Sequence, residues 1–340
     1  MIRRAMPGRE RPPALDWEAV EGTRKLALVL ALGLAATACG GSGGGDRDGG
    51  AGPAPGSTAG DLVAQVASYD VATGTADRFI VGLLTPDNRF ISGGDVTFRF
   101  SFIGEGGTEP GPEATAEFLA IPGEDPAHED AHAGPPAEGR GVYAAYDVPF
   151  DRGGLWQVEV TAEVDGEALV GTAAFGVAEE PAVPAVGDAA LRTENLTVDD
   201  VGEAPPGAID SRAEGGGRIP DRELHDVTIA EAISRGRPVV AIFSTPVYCV
   251  SQFCGPITDM IAELETEYAD RAEFVHVEVW RDFQNQVVNR AAADWLLREG
   301  DLREPWVFFI DGEGVIRGRW DNVATRQEVE QHLQDLPPMG

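Results

Sequence analysis

Pro238-Val239-Val240-Ala241-Ile242-Phe243-Ser244-Thr245-Pro246-Val247-Tyr248-Cys249-Val250-Ser251-Gln252-Phe253-Cys254-Gly255-Pro256-Ile257 decides the fold of the C-terminal third. Val239 to Phe243 is an unbroken apolar run, β-branched at its start, as a central parallel strand covered on both faces requires. The loop from Ser244 to Phe253 then delivers Cys254-Gly255-Pro256 to an amphipathic helix, predicted over Ile257 to Tyr268. Its apolar stripe is Ile257, Met260, Ile261, Leu264 and Tyr268, and Pro256 suits a first helical turn. On the N-terminal side, Thr228-Ile229-Ala230-Glu231 is a capping-box pattern for a short helix that stops at Gly236. On the C-terminal side follow a strand, Phe274 to Trp280, and a helix near Val287 to Leu297. Pro305 to Ile310, the turn Asp311-Gly312-Glu313-Gly314 and Val315 to Trp320 read as a hairpin. A second capping box, Thr325-Arg326-Gln327-Glu328, opens the last helix.

Residues 221–340 resemble the thioredoxin-like superfamily in this order of elements, in the cysteine of Cys254-Gly255-Pro256 at a helix start, and in the later proline opening a strand-turn-strand unit. The pair Cys249 and Cys254, separated by four residues, is similar to a branch of exported bacterial members. The resemblance implies an α/β thioredoxin-like fold and thiol-disulfide exchange on exported proteins. It also implies a cis-proline at Pro305 beside the active cysteine, with Trp306 where a partner's chain would run. Two departures stand out. Ile257 occupies the position where ordinary thioredoxins carry their partner thiol, so the second thiol is Cys249. Pro238 to Tyr248 contains no acidic residue, so the buried carboxylate that assists proton transfer in thioredoxins has no match on this strand.

A helix N-terminus presents unpaired N–H groups and partial positive charge, which stabilise a thiolate. On that ground Cys254 is expected as the nucleophile and Cys249 as the resolving thiol, with Pro305 and Trp306 contacting the client. Two alternatives stand beside exchange: a structural Cys249-Cys254 disulfide in a binding or scaffold lipoprotein, and Cu(I) delivery by the two thiolates with His276 or His225 as a further ligand. No cofactor and no resident metal are expected.

From Asp61 to Ala178 the apolar period is two, as in Phe79-Ile80-Val81-Gly82-Leu83-Leu84 and Val96-Thr97-Phe98-Arg99-Phe100-Ser101-Phe102. Further strands are predicted at Ala116 to Ile121, Val142 to Val148, Leu155 to Val164 and Ala168 to Val177. Several short strands between turn signals argue for an immunoglobulin-like β-sandwich over 61–178. The chain is thus expected to be multidomain, this sandwich preceding the thioredoxin-like fold. His128 and His132 lie in an acidic loop-like tract and read as solvated. The Pro- and Gly-rich stretch 179–220 reads as a linker with few buried contacts between two domains that fold separately, though free to drape over the last one.

The N-terminus reads as an address. Leu26 to Ala38 is uncharged, follows Arg24 and Lys25, and is too short to span a bilayer, which fits the apolar region of a signal peptide over 1–38. Ala36-Thr37-Ala38-Cys39 resembles a bacterial lipobox, and the resemblance implies a diacylglycerol on Cys39, a lipid anchor at the extracytoplasmic face of the cell membrane, and a Gly-rich tether over 39–60. The net charge of −31 excludes a nucleic-acid partner and leaves membrane attachment to the lipid. Clients are expected to be exported proteins carrying thiols or disulfides. Mass spectrometry of the mature N-terminus is expected to find lipidated Cys39, and an unmodified terminus at another residue would contradict the anchor.

Overall fold

The computed structural model describes residues 61–124, 130–135, 140–251 and 253–338. The expected signal segment, Cys39 and the tether lie outside the described residues, and so does His128. Among the described residues, nine strands make the first body: β1 (Val63–Val66), β2 (Gly74–Leu84), β3 (Phe90–Ser92), β4 (Asp95–Gly104), β5 (Gly107–Ala120), β6 (His132–Gly134), β7 (Gly141–Phe150), β8 (Gly154–Val164) and β9 (Glu167–Val177). They pair antiparallel in one network, in the order β6-β3-β2-β7-β5-β4-β8-β9, with β1 on β2.

Period-two patterning sets which residues turn inward. Val96, Phe98 and Phe100 of β4 and Trp156, Val158 and Val160 of β8 join Phe79, Phe150 and Phe175 in one core. Phe100 meets Phe79 edge-on at 5.0 Å and Phe150 at 5.3 Å, contacts worth about 1 kcal/mol each beyond area burial. Asp165 and Gly166, both at positive φ, close the tight hairpin between β8 and β9.

The second body comprises α1 (Ile229–Ser234), β10 (Val239–Ser244), α2 (Cys254–Tyr268), β11 (Glu273–Glu278), β12 (Trp280–Asp282), β13 (Val287–Val288), α3 (Arg290–Leu296), β14 (Trp306–Ile310), β15 (Ile316–Asp321) and α4 (Arg326–Leu333). Its main sheet runs β11-β10-β14-β15, with β10 parallel to β11 and antiparallel to β14. All six residues of β10 are buried, because helices lie on both faces. Val239, Ala241 and Phe243 pack with Ile229 of α1 and Trp295 of α3. Val240 and Ile242 pack with Ile261 and Leu264 of α2 and Val329 and Leu333 of α4. Both capping boxes form, Thr228 with Glu231 and Thr325 with Glu328.

Two boundaries move. α2 starts at Cys254 rather than Ile257, since a first turn needs no apolar stripe and tolerates Pro256 where an N–H would go unpaired. The helix expected from Val287 starts at Arg290, because the β-branched pair Val287-Val288 joins a short ladder with β12.

Residues 179–220 are laid over the second body. Ala189 bridges Val315, and the Ile316 N–H donates to the Asp188 carbonyl at 2.9 Å. Ala208, Ile209 and Ala213 are buried. The first body also docks on the second through a buried guanidinium. Arg78 of β2 donates to Glu328 Oε1 at 2.8 Å and to the carbonyls of Asp321 and Val323 at 2.7 and 2.6 Å. The same Glu328 caps α4 with its other oxygen. Around this bridge Ile80, Leu119, Ile121, Val142 and Ala144 pack on Val323.

Removing one partner of a buried ion pair strands the other's charge. Arg78→Ala is therefore expected to cost about 3–5 kcal/mol in denaturant unfolding. Arg99→Ala, which breaks two pairs of an arginine side chain that is 56% exposed, is expected to cost far less. Equal losses in the two variants would show that the Arg78 bridge does not hold the bodies together.

Candidate functional site

Cys249 and Cys254 are joined in a disulfide with a Cα–Cα distance of 6.0 Å. Cys254 is the first residue of the 15-residue helix α2, so its sulfur sits at the positive end of the helix dipole. It has no exposed surface, whereas Cys249 is half-buried and lies beside the Ser251 hydroxyl, 3.2 Å from its sulfur. The loop is anchored at both ends. The Cys249 N–H donates to the Thr245 carbonyl at 3.1 Å. The Thr258 hydroxyl donates to the Cys254 carbonyl and contacts the Ser244 hydroxyl, each at 2.8 Å, pinning the first turn of α2 to the end of β10. The rim around the disulfide is apolar: Val250 is 95% exposed and Val247 53%, and Tyr248 stacks on Phe283 at 3.9 Å.

The Glu304-Pro305 peptide is cis. Tyr69, from the segment after β1, donates its hydroxyl to the Glu304 carbonyl at 2.9 Å. Trp306 is only 3% exposed; its ring stacks on Phe308 and lies 6.1 Å from that of Tyr69. Its faces are thus occupied from within the chain. Pro305 is buried as well.

Two acidic side chains lie beneath the loop, supplied by neighbours of β10 and not by β10 itself. Glu304 accepts from the Thr245 N–H and the Trp280 side chain, yet its Oε2 is buried without a partner. Burial first, and the nearby Glu278 charge second, push its carboxyl up to about 8. Glu278, at the end of β11, accepts from the Ser211 N–H at 2.7 Å and the Trp280 N–H at 3.2 Å, and burial raises it also. Thr245 therefore relates both acids to the loop: its N–H faces Glu304, its hydroxyl faces Glu278, and its carbonyl holds Cys249.

A third buried carboxylate belongs to the segment expected as a linker. Asp210 starts the 3-10 turn Ser211–Ala213 and accepts from the Arg212 N–H at 2.8 Å and the Arg212 guanidinium at 2.7 Å. Burial alone would raise its carboxyl, but His225, His276 and Arg212 hold it far below the usual range. The His225 and His276 rings face it, 3.4 and 3.6 Å from Oδ2. His276 is on β11 and His225 ends a second 3-10 turn, Arg222–His225; both are fully buried. Neither cysteine belongs to this group, so among the described residues the two histidines gather on Asp210 and not on the thiols. His132 lies on β6 beside Asp165.

Pro238 to Tyr248 carries no carboxylate of its own. The acids come from sequence-distant positions, and the signals for them were slight: Glu278 interrupts the apolar run from Phe274 to Val279, and Glu304 directly precedes Pro305. Asp210 lay in a stretch without periodicity. Compared with known proteins, the chain matches no family model, no curated protein and no solved structure.

A carboxyl whose pKa is higher in the folded than in the unfolded state holds its proton better when folded. Its contribution to stability is fully present below the ordinary carboxyl range and is lost as pH rises through the folded value. For Glu304 the window runs from its ordinary 4.5 to about 8. Stability is expected to fall with rising pH across it, by at most about 1.4 kcal/mol per pH unit from this group. Glu304→Gln is expected to flatten that slope in chemical denaturation. An unchanged slope would show that Glu304 is ionised at neutral pH.

Proposed function

We propose that the chain is a lipid-anchored, extracytoplasmic thiol-disulfide oxidoreductase acting on exported proteins through Cys249 and Cys254, its N-terminal body an immunoglobulin-like sandwich and its C-terminal body a thioredoxin-like fold. The observation that carries the reading is a disulfide closed on a helix start, with Glu278 and Glu304 both reaching Thr245 at the base of its loop. Such a pair has what exchange requires: a stabilised thiolate, a reachable sulfur and a nearby proton carrier. In this reading the carrier is Glu304, raised to about 8 and accepting from the Thr245 N–H at the base of the loop, since β10 itself has no acid.

Burial changes the division of labour expected from helix position. Cys254 has no exposed surface in the oxidised pair, so an incoming client thiolate meets the Cys249 sulfur first. Attack there forms a client–Cys249 disulfide, breaks the Cys249–Cys254 bond and releases Cys254 as a thiolate. The helix start stabilises that leaving group, and a low leaving-group pKa speeds exchange. A second client thiolate then attacks the client sulfur of the mixed disulfide and frees the Cys249 thiolate. The client loses two electrons and the pair gains them; the reverse sequence reduces a client disulfide. The exposed Val247 and Val250 beside the bond favour clients that offer an apolar segment next to the reacting cysteine.

A structural bridge is the second reading, favoured by the complete burial of Cys254. Single-cysteine variants separate the two. Under exchange, Cys254→Ser is expected to trap clients covalently on Cys249, and Cys249→Ser to trap far fewer. Predominant trapping by Cys249→Ser would restore Cys254 as the attacking sulfur. Trapping by neither, with a stability loss of about 2 kcal/mol in both, would establish the structural bridge.

A further inference from the structure

We propose that Asp210, His225 and His276 form a binding site for a divalent transition cation of the zinc class, separate from the cysteine pair. Their donor atoms all lie within 4.8 Å of one another, and all three side chains are fully buried. Two imidazoles and one carboxylate are a donor set suited to zinc, and three protein donors are the usual complement of a zinc site that keeps one position for water.

The distances discriminate between a cation and simple hydrogen bonding. His225 Nε2 and His276 Nδ1 stand 3.4 and 3.6 Å from Asp210 Oδ2. Among the described residues neither nitrogen has a partner at hydrogen-bond geometry, nor has His225 Nδ1. An N–H donating to a carboxylate closes to about 2.7–3.2 Å. Two ligands each about 2.0–2.1 Å from a tetrahedral centre are instead held about 3.3 Å apart. The observed separations match the edges of such a tetrahedron better than hydrogen bonds.

The tautomer agrees. His276 Nε2 lies 3.2 Å from the Ser244 carbonyl, which can only accept, so the proton is on Nε2. That directs Nδ1 at Asp210, and a backbone carbonyl on the far nitrogen is how metal-bound histidines are commonly oriented. Arg212 also sits on Asp210, but its charge is shared with Asp221 at 2.8 Å and Asp259 at 3.2 Å.

The ligands come from two 3-10 turns and a strand, so the site assembles only as the chain folds, and the cation is taken up at that step. Once bound it would fasten residues 179–220 to β11. Through His276 it would also bear on Ser244, at the base of the cysteine loop.

The test is to unfold the intact protein with a chelator and refold it, disulfide closed, with Co(II) as the spectroscopic probe and Zn(II) as competitor. One Co(II) per chain is expected, with the intense visible bands of a tetrahedral site, no thiolate charge-transfer band, and displacement by Zn(II). The Cys249→Ser/Cys254→Ser double variant should bind equally, and His225→Gln should bind at least about 100-fold more weakly, more than a change outside the ligand set costs. Failure of the refolded protein to bind would overturn the site and leave a proton between His276 and Asp210. Loss of binding in the double-cysteine variant, or its retention in His225→Gln, would also overturn it. Should His225→Gln not fold, cobalt-shifted imidazole proton resonances of the unaltered chain count the histidine ligands, and fewer than two would refute the proposal.

Discussion

Asp210 is a carboxylate with no exposed surface in a segment with no sequence periodicity, and the arrangement beneath the cysteine loop depends on it. A buried charge of this kind persists only where partners surround it. Arg212 supplies the counter-charge, and the rings of His225 and His276 close over the carboxylate. Because Ser211 follows directly, the same turn donates an N–H to Glu278 and another contact to the loop, where the Val247 N–H meets the Ser211 hydroxyl at 3.2 Å. One acidic residue thus fixes the strap, the end of β11 and the entry to the cysteine loop together.

The chemistry inherits this geometry. Thr245 is held between Glu278 and Glu304, and its carbonyl holds Cys249, so the acids and the sulfurs share one short stretch of backbone. The first body reaches the same region from outside. Tyr69 covers the peptide before Pro305, while Arg78 locks onto Asp321 and Glu328. Trp306 is enclosed, whereas Val247 and Val250 of the cysteine loop stay exposed.

Much of the scaffold was legible in the sequence because local rules governed it. The apolar run Val239 to Phe243, the two capping boxes and the period-two strands each carry their own signal, and each appears as an element in the structure. The cysteine pair was legible for the same reason: spacing and a helix start are local properties. The supporting acids were not, since Asp210, Glu278 and Glu304 converge only through tertiary packing, and a single buried carboxylate leaves no periodic trace. Helix position puts Cys254 at the positive end of α2, a local property, whereas its complete burial depends on tertiary packing that leaves no sequence pattern.

That the Cys249–Cys254 disulfide is exchanged, and not merely structural, is a claim about its reduction potential. Equilibration of the intact protein with glutathione redox buffers is predicted to give a value between about −120 and −270 mV, the span of known exchange proteins. A value below about −300 mV would contradict the claim, because the bond would then resist reduction as structural disulfides do.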